Sequence, residues 1–176
     1  MLQTARLTLR PFTPADLAPF AAINADPQVM RFFPAPYTRA QTARMLDTFA
    51  EKWRINGLAF AAVEDRGSGE LLGMCGLNTP PETLPISPCT EVGWRLTPSA
   101  WGKGLATEAA EAWLTWGFAR GIPEILAFAP SLNAPSLAVM RRLNMTAAPD
   151  LAFNHPAIPK GHPLRPMKVH RLAAPG

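Results

Sequence analysis

Glu91-Val92-Gly93-Trp94-Arg95-Leu96-Thr97-Pro98-Ser99-Ala100-Trp101-Gly102-Lys103-Gly104-Leu105-Ala106-Thr107-Glu108-Ala109-Ala110-Glu111-Ala112 is the stretch around which the chain is organised. Val92 to Leu96 has the character of an apolar strand, and Thr97 to Ala100 of a short turn. The glycine-rich segment Trp101 to Ala106 then runs straight into a helix predicted from Thr107 onward. A strand, a glycine-rich loop and a helix start turn unbonded backbone N–H groups toward an anion. The helix dipole adds roughly half a positive charge at that end. We therefore read the segment as a cradle for a pyrophosphate. It is not a Walker loop, because Lys103 is followed by Gly104 rather than Ser or Thr, and it lacks the G-x-G-x-x-G spacing of a dinucleotide site. A G-x-G pair alone is also compatible with a loop that merely turns tightly.

Upstream of this stretch, Arg6-Leu7-Thr8-Leu9-Arg10 alternates as a first strand whose arginines read as solvated positions. Thr13-Pro14-Ala15-Asp16 opens a helix that Asp26-Pro27 ends. After the apolar loop Val29 to Pro36, Thr38 and Gln41 form a capping box for a second helix, closed by Gly57. Met45, Leu46, Phe49 and Trp53 share its apolar face and read as core. Leu58 to Glu64 and Glu70 to Leu77 are predicted strands of a hairpin, with Gly73 and Gly76 pointing to close packing or a bulge. A proline-rich loop, Thr79 to Pro88, leads back to Glu91.

Downstream, the helix after the cradle reaches about Arg120, stopped by Gly121, and Pro123 to Phe128 is a short strand. Strand, helix and strand in that order predict a parallel pair within a sheet that is otherwise antiparallel. Asn133 caps a further helix with Pro135 early in it and Ser136 at its third position. The last strand is predicted over Lys168 to Leu172.

Composition bounds the class. The 176 residues suit a single domain, residues 1–176; 48% hydrophobic and 17% charged is a globular balance. A net charge of +4 without any basic run gives no case for direct nucleic-acid binding. Cys75 and Cys89 match no metal spacing and read as reduced thiols of a cytoplasmic protein. No signal peptide or membrane span is evident. His155, His162 and His170 lack the helical spacing or cysteine companions of a metal site, so no metal is expected, and His155 and His162 read as loop hydrogen-bonding residues, with contact to a bound acceptor as the alternative.

The central stretch resembles the acetyl-CoA loop of the GNAT N-acetyltransferase superfamily, Gln/Arg-x-x-Gly-x-Gly/Ala. Gly104 and Ala106 fall on its small positions, and Trp101 departs from its first. The longer phrase from Glu91 to Ala109, with the opening Thr4, Arg6, Leu7, Leu9, Arg10 and Asp16, is similar to the branch that contains ribosomal-protein N-terminal acetyltransferases. The resemblance spans about Thr4 to Leu172.

The resemblance implies an α/β fold, a mixed and mostly antiparallel sheet that splays between two parallel strands, with helices on both faces. It implies acetyl transfer from acetyl-CoA to a primary amine, either a protein N-terminal residue or a small molecule, in a monomer or homodimer away from any membrane. The cosubstrate would be held by Trp94, Arg95 and Leu96 of the strand, by Trp101, Gly102, Lys103, Gly104, Leu105, Ala106 and Thr107 of the cradle, and by Asn133 and Ser136. Phe32, Phe33 and Tyr37 would touch the acceptor, or simply pack under their loop. An amine attacks only when neutral, so a carboxylate is needed to take its proton. Glu91 is the candidate base; an exposed strand acid, or one paired with arginine, is the alternative reading of the same residue. Met140 stands where many of the superfamily have a tyrosine acid, which leaves Ser136 as candidate acid or as support for its helix cap. Asn144-Met145 replaces Gly-Phe, and asparagine tolerates the left-handed backbone wanted there. These departures leave room for a catalytically silent acyl-CoA-binding module of the same fold.

Overall fold

The computed structural model describes residues 1–176. Its nine-stranded sheet contains β1 (Leu2–Gln3), β2 (Leu7–Arg10), β3 (Phe60–Asp65), β4 (Leu71–Asn78), β5 (Glu91–Leu96), β6 (Glu124–Pro130), β7 (Thr146–Ala147), β8 (Phe153–Asn154) and β9 (Pro166–Ala173). Their order is β1-β2-β3-β4-β5-β6-β9-β7, with β8 pairing β9. Every neighbouring pair is antiparallel except β5 with β6. The helices are α1 (Leu17–Ala25), α2 (Arg39–Asn56), α3 (Leu105–Phe118) and α4 (Ala134–Arg142).

The strand period of two divides the sheet residues between two cores. Leu7, Leu9, Ala61, Val63, Cys75, Leu77 and Val92 pack under α3 and α4 around Trp113 and Met140. Ala62 and Met74 face the other way, against Phe20 of α1 and Phe49 of α2. The expected α/β architecture, with helices on both faces, is thus the one observed. Local signals account for the helix ends. Thr38 and Gln41 form the capping box of α2, and Gly57 closes it at φ +69°. Asn144 adopts φ +57° after α4, as the resemblance implied.

Two local expectations need correction. α3 begins at Leu105, two residues before Thr107, because Gly104 takes the N-cap position in the left-handed region. Arg10 of β2 is not a solvated bystander. Arg10 donates to Asp16 (2.7 Å) at the entrance to α1 and to Glu64 (2.9 Å) of β3, which fastens α1 to the sheet.

Gly73 and Gly76 serve close packing. The β3–β4 register slips at Val63/Glu64, beside Gly73. A Cβ on Gly73 would lie 2.1 Å from the Arg95 carbonyl oxygen, and one on Gly76 2.7 Å from that of Ala59. Gly73 also sits at φ +141°, which a side chain disfavours. Gly73→Ala is therefore expected to destabilise the fold by roughly 2–4 kcal/mol in urea unfolding, with the β4–β5 contact as the origin. Unchanged stability would mean that β5 can move away freely.

Candidate functional site

The cradle is a row of unsatisfied amides. Gly102 and Gly104 both have positive φ, +73° and +76°, and the chain between them makes consecutive turns. Trp101 N–H donates to Pro98 O at 3.1 Å, and the next N–H to find a backbone acceptor is that of Glu108, which donates to Gly104 O at 3.0 Å. The N–H groups of Gly102, Lys103, Gly104, Leu105, Ala106 and Thr107 donate to no protein acceptor. The last three belong to the first turn of α3, where the dipole favours negative charge. Arg6 secures the loop from β2's approach: its Nη1 donates to Lys103 O (3.0 Å), its Nε to Glu108 Oε2 (2.7 Å), and its backbone N–H to Glu108 Oε1 (3.0 Å). Thr4 Oγ1 donates to the same carboxylate at 2.5 Å. Burial works to raise the Glu108 carboxyl, but the Thr4 and Arg6 hydrogen bonds hold it below the usual carboxylate range.

The sheet opens beside the cradle. β5 and β6 share one register pair, Glu91 with Leu126, and then separate. Thr97 N–H donates to Leu72 O at 2.8 Å, which fixes the alternation of the β4–β5 ladder. By that alternation the N–H groups of Trp94 and Leu96 turn away from β4, toward the gap left by β6. The Leu96 carbonyl on that side accepts from the Trp101 indole N–H at 2.9 Å. Trp101 is 38% exposed, and at the position where the resembled loop has Gln or Arg it supplies a donor of its own to the strand.

Glu91 starts β5 at the closed end of the splay. It is 9% exposed and not paired with arginine, which excludes both structural alternatives raised for it. Its Oε1 accepts from Asn78 Nδ2 at 2.6 Å, across the register pair Asn78↔Glu91. Asn78 Oδ1 accepts in turn from Lys52 Nζ of α2 (2.6 Å), which also donates to Thr79 O (2.6 Å). Burial pushes the Glu91 carboxyl up to about 7, only partly opposed by the Asn78 bond and the Lys52 charge. That is the protonation range of a general base. Asn78 and Lys52 escaped sequence reasoning, because only strand pairing and the crossing of α2 reveal that they meet Glu91.

The remaining candidates fall on three surfaces. Phe33 and Tyr37 stack over the Arg95 guanidinium, with ring centroids 4.3 and 5.4 Å from its carbon. Phe32 packs instead with Ile158 and Leu164 of the C-terminal loop and with Met167 of β9. Arg31 lies between Phe32 and Trp101, 4.9 Å and 5.2 Å from their ring centroids. Asn133 caps α4 by accepting from Ser136 N–H at 3.1 Å, and the Ser136 hydroxyl makes no hydrogen bond. Met140 is 1% exposed, a core residue. In the C-terminal loop His155 and His162 each accept a nearby backbone N–H through Nδ1.

A splayed parallel pair that ends in a row of unbonded amides, with a buried carboxyl at its vertex, defines the class of an acyltransferase. Residues 6–146 match the family model described as Acetyltransferase (GNAT) domain, and the chain belongs to that family of acetyltransferases. The uncharacterized protein YkkB of Bacillus subtilis (strain 168) is 30% identical over 146 residues, 82% of this chain and 84% of that protein. The crystal structure of the acetyltransferase from Agrobacterium tumefaciens str. C58 superimposes with a TM-score of 0.78 at 28% identity, covering 97% of this chain and 92% of that one. The ribosomal L7/L12 α-N-protein acetyltransferase RimL, solved in complex with coenzyme A, shares the fold with a TM-score of 0.79 at 16% identity, over 97% of this chain and 95% of its own. No helix is long and apolar enough to cross a membrane.

The buried Glu91 carboxyl ties stability to pH. Below its ordinary value of 4.5 it is protonated in folded and unfolded chains alike. As pH rises toward 7 the unfolded chain ionises first, and the folded state loses about 1.4 kcal/mol per pH unit. Glu91→Gln removes this loss. Its stability relative to the parent protein should climb by about 3 kcal/mol between pH 4.5 and 8 in urea unfolding. A difference that is flat with pH would show that Glu91 titrates normally.

Proposed function

We propose that the protein transfers an acetyl group from acetyl-CoA to a primary amine by direct attack within a ternary complex. The observation that carries this reading is the pairing of two features on β5: unbonded amides beyond its C-terminal end and a buried, proton-ready carboxylate at its start. The backbone N–H groups from Gly102 to Thr107 would hold the pyrophosphate, and Asn133 with Ser136 would line the arm. That coenzyme A is bound by the RimL enzyme, which has this fold, supports the assignment. Glu91, deprotonated above about pH 7, takes the proton of the acceptor ammonium directly or through a water. The amine nitrogen then attacks the thioester carbonyl carbon. The outward N–H of Trp94 stabilises the developing oxyanion, with Arg95 and Leu96 fixing the strand around it. The carbon–sulfur bond breaks, Ser136 gives its proton to the departing thiolate, and the proton that the nitrogen sheds on becoming an amide restores the Ser136 hydroxyl. Phe32, Phe33 and Tyr37 form the acceptor-side wall. A silent acyl-CoA-binding module of the same fold would have no use for a carboxyl held near 7 by burial, which favours the catalytic reading over it.

Two measurements test the reading. Isothermal titration with acetyl-CoA should give micromolar binding, and Gly104→Asp should weaken it at least about 100-fold by placing bulk and negative charge among the amides. Unaltered affinity in that variant removes the cradle from the site. In an amine screen that reads out released thiol, kcat/KM should rise with pH through an apparent pKa of about 7. Glu91→Gln should lower kcat roughly 100-fold and abolish that rising limb. A variant that keeps both rate and limb excludes Glu91 as the base.

A further inference from the structure

The acceptor-side wall contains a buried cation without an anion. Arg95 is 7% exposed, and its side chain leaves β5 on the same face as that of Glu91, since both occupy odd positions of the strand. Its Nη1 donates to Asn24 Oδ1 at 2.6 Å, and the Tyr37 hydroxyl lies close enough to favour the charged form. Asn24 is itself fully buried and committed, donating Nδ2 to Thr42 Oγ1 at 3.2 Å. Arg95 Nε is buried with no partner at all. The ion pairs of the protein use Arg6, Arg10, Arg54 and Arg171, and none uses Arg95. No carboxylate acts on Arg95, and Tyr37 is the titratable side chain that does.

Such an arrangement is unfavourable in isolation. Burying a charge without a counter-charge costs several kcal/mol, and a guanidinium does not escape by giving up its proton. The faces of Phe33 and Tyr37 offset part of this through the ring quadrupole, but they accept no hydrogen bond from Nε. The planar fork of arginine is matched by a carboxylate, which can accept two parallel hydrogen bonds. Four residues of strand, about 13 Å, separate the Cα atoms of Glu91 and Arg95. Between them the edge of the Phe60 ring fills the place that a Gly93 side chain would take.

Resting on the acetyl-transfer reading, we propose that Arg95 anchors a carboxylate carried by the acceptor, so that the acceptor is an amine bearing a carboxylate close to its nitrogen. The amine faces Glu91 and the splay, while the carboxylate lies against the Arg95 fork beneath Phe33 and Tyr37. A free amino acid carries both groups on one carbon. A peptide N-terminus followed by an acidic residue offers the same pair from a different source.

The test compares charged acceptors with uncharged twins on the unaltered protein: L-phenylalanine and L-leucine against their amides, and Ala-Asp-Ala amide against Ala-Asn-Ala amide. In at least one pair the acid should be acetylated with kcat/KM ten-fold or more above its twin, mainly through KM. The pair that discriminates identifies the source. Arg95→Met should bring that ratio close to one, and Arg95→Lys, which keeps charge but loses the fork, should leave it in between. Equal rates within every pair, or a preference that survives Arg95→Met, overturn the assignment and leave acetyl transfer standing. If no amine is acetylated, the acetyl-transfer reading falls. Calorimetric titration of acid and amide into CoA-saturated protein then judges Arg95 alone, and equal binding, or none, counts against it.

Discussion

The site depends on a sheet that fails to close. β5 and β6 meet in a single rung, Glu91 with Leu126, and diverge from there. Had the parallel ladder continued, the outward amides of Trp94 and Leu96 would be spent on β6. A buried amide left without a partner costs about 1–3 kcal/mol, so the gap is tolerable only where another group enters it. The structure answers part of that demand internally, through the Trp101 indole on the Leu96 carbonyl. The rest is available for chemistry. The opposite face of the sheet bears the load of stability: Trp113, Met140 and the apolar residues of β2 to β5 form the larger core there. The helices of that core hold the strands in place while the ladder is open.

The α1–α2 face is organised differently. It places two ionisable groups, Glu91 and Arg95, within a sheet wall that excludes most water. Each is kept in position by one asparagine, Asn78 or Asn24, and each asparagine is held in turn by a residue of α2, Lys52 or Thr42. Neutral amides orient both charges without cancelling either. α2 therefore acts as a positioning element for groups that lie on another part of the chain.

Much of this was legible in the sequence because it rests on local rules. The capping box of Thr38 and Gln41, the closing Gly57, the glycines of the cradle and the strand–helix–strand order each follow from a few adjacent residues. The resemblance to an acetyltransferase loop was carried by the same contiguous stretch. What was not legible is long-range pairing of polar side chains. Arg6 and Arg10 alternate with leucines like any solvent-facing strand positions, and only the folded chain shows their carboxylate partners. Asn78 at the end of an apolar run gives no hint of Glu91, which lies across a proline-rich loop. The start of α3 was misplaced by two residues, because a glycine in the left-handed region can cap a helix without the side-chain oxygen that marks a usual cap.

The clamp on Glu108 has a bearing on when the site comes into being. Thr4 and Glu108 are 104 positions apart, and Arg6 and Glu108 are 102. A chain made from its N-terminus must present its first strand long before the helix that this strand secures exists. Contacts of such separation form late in folding, because a large loop must close before they give any return. The anion cradle is thus finished only when the whole sheet is assembled. A nascent or partly folded chain has the glycine-rich sequence but not the fixed row of amides, which is a property of the completed fold alone.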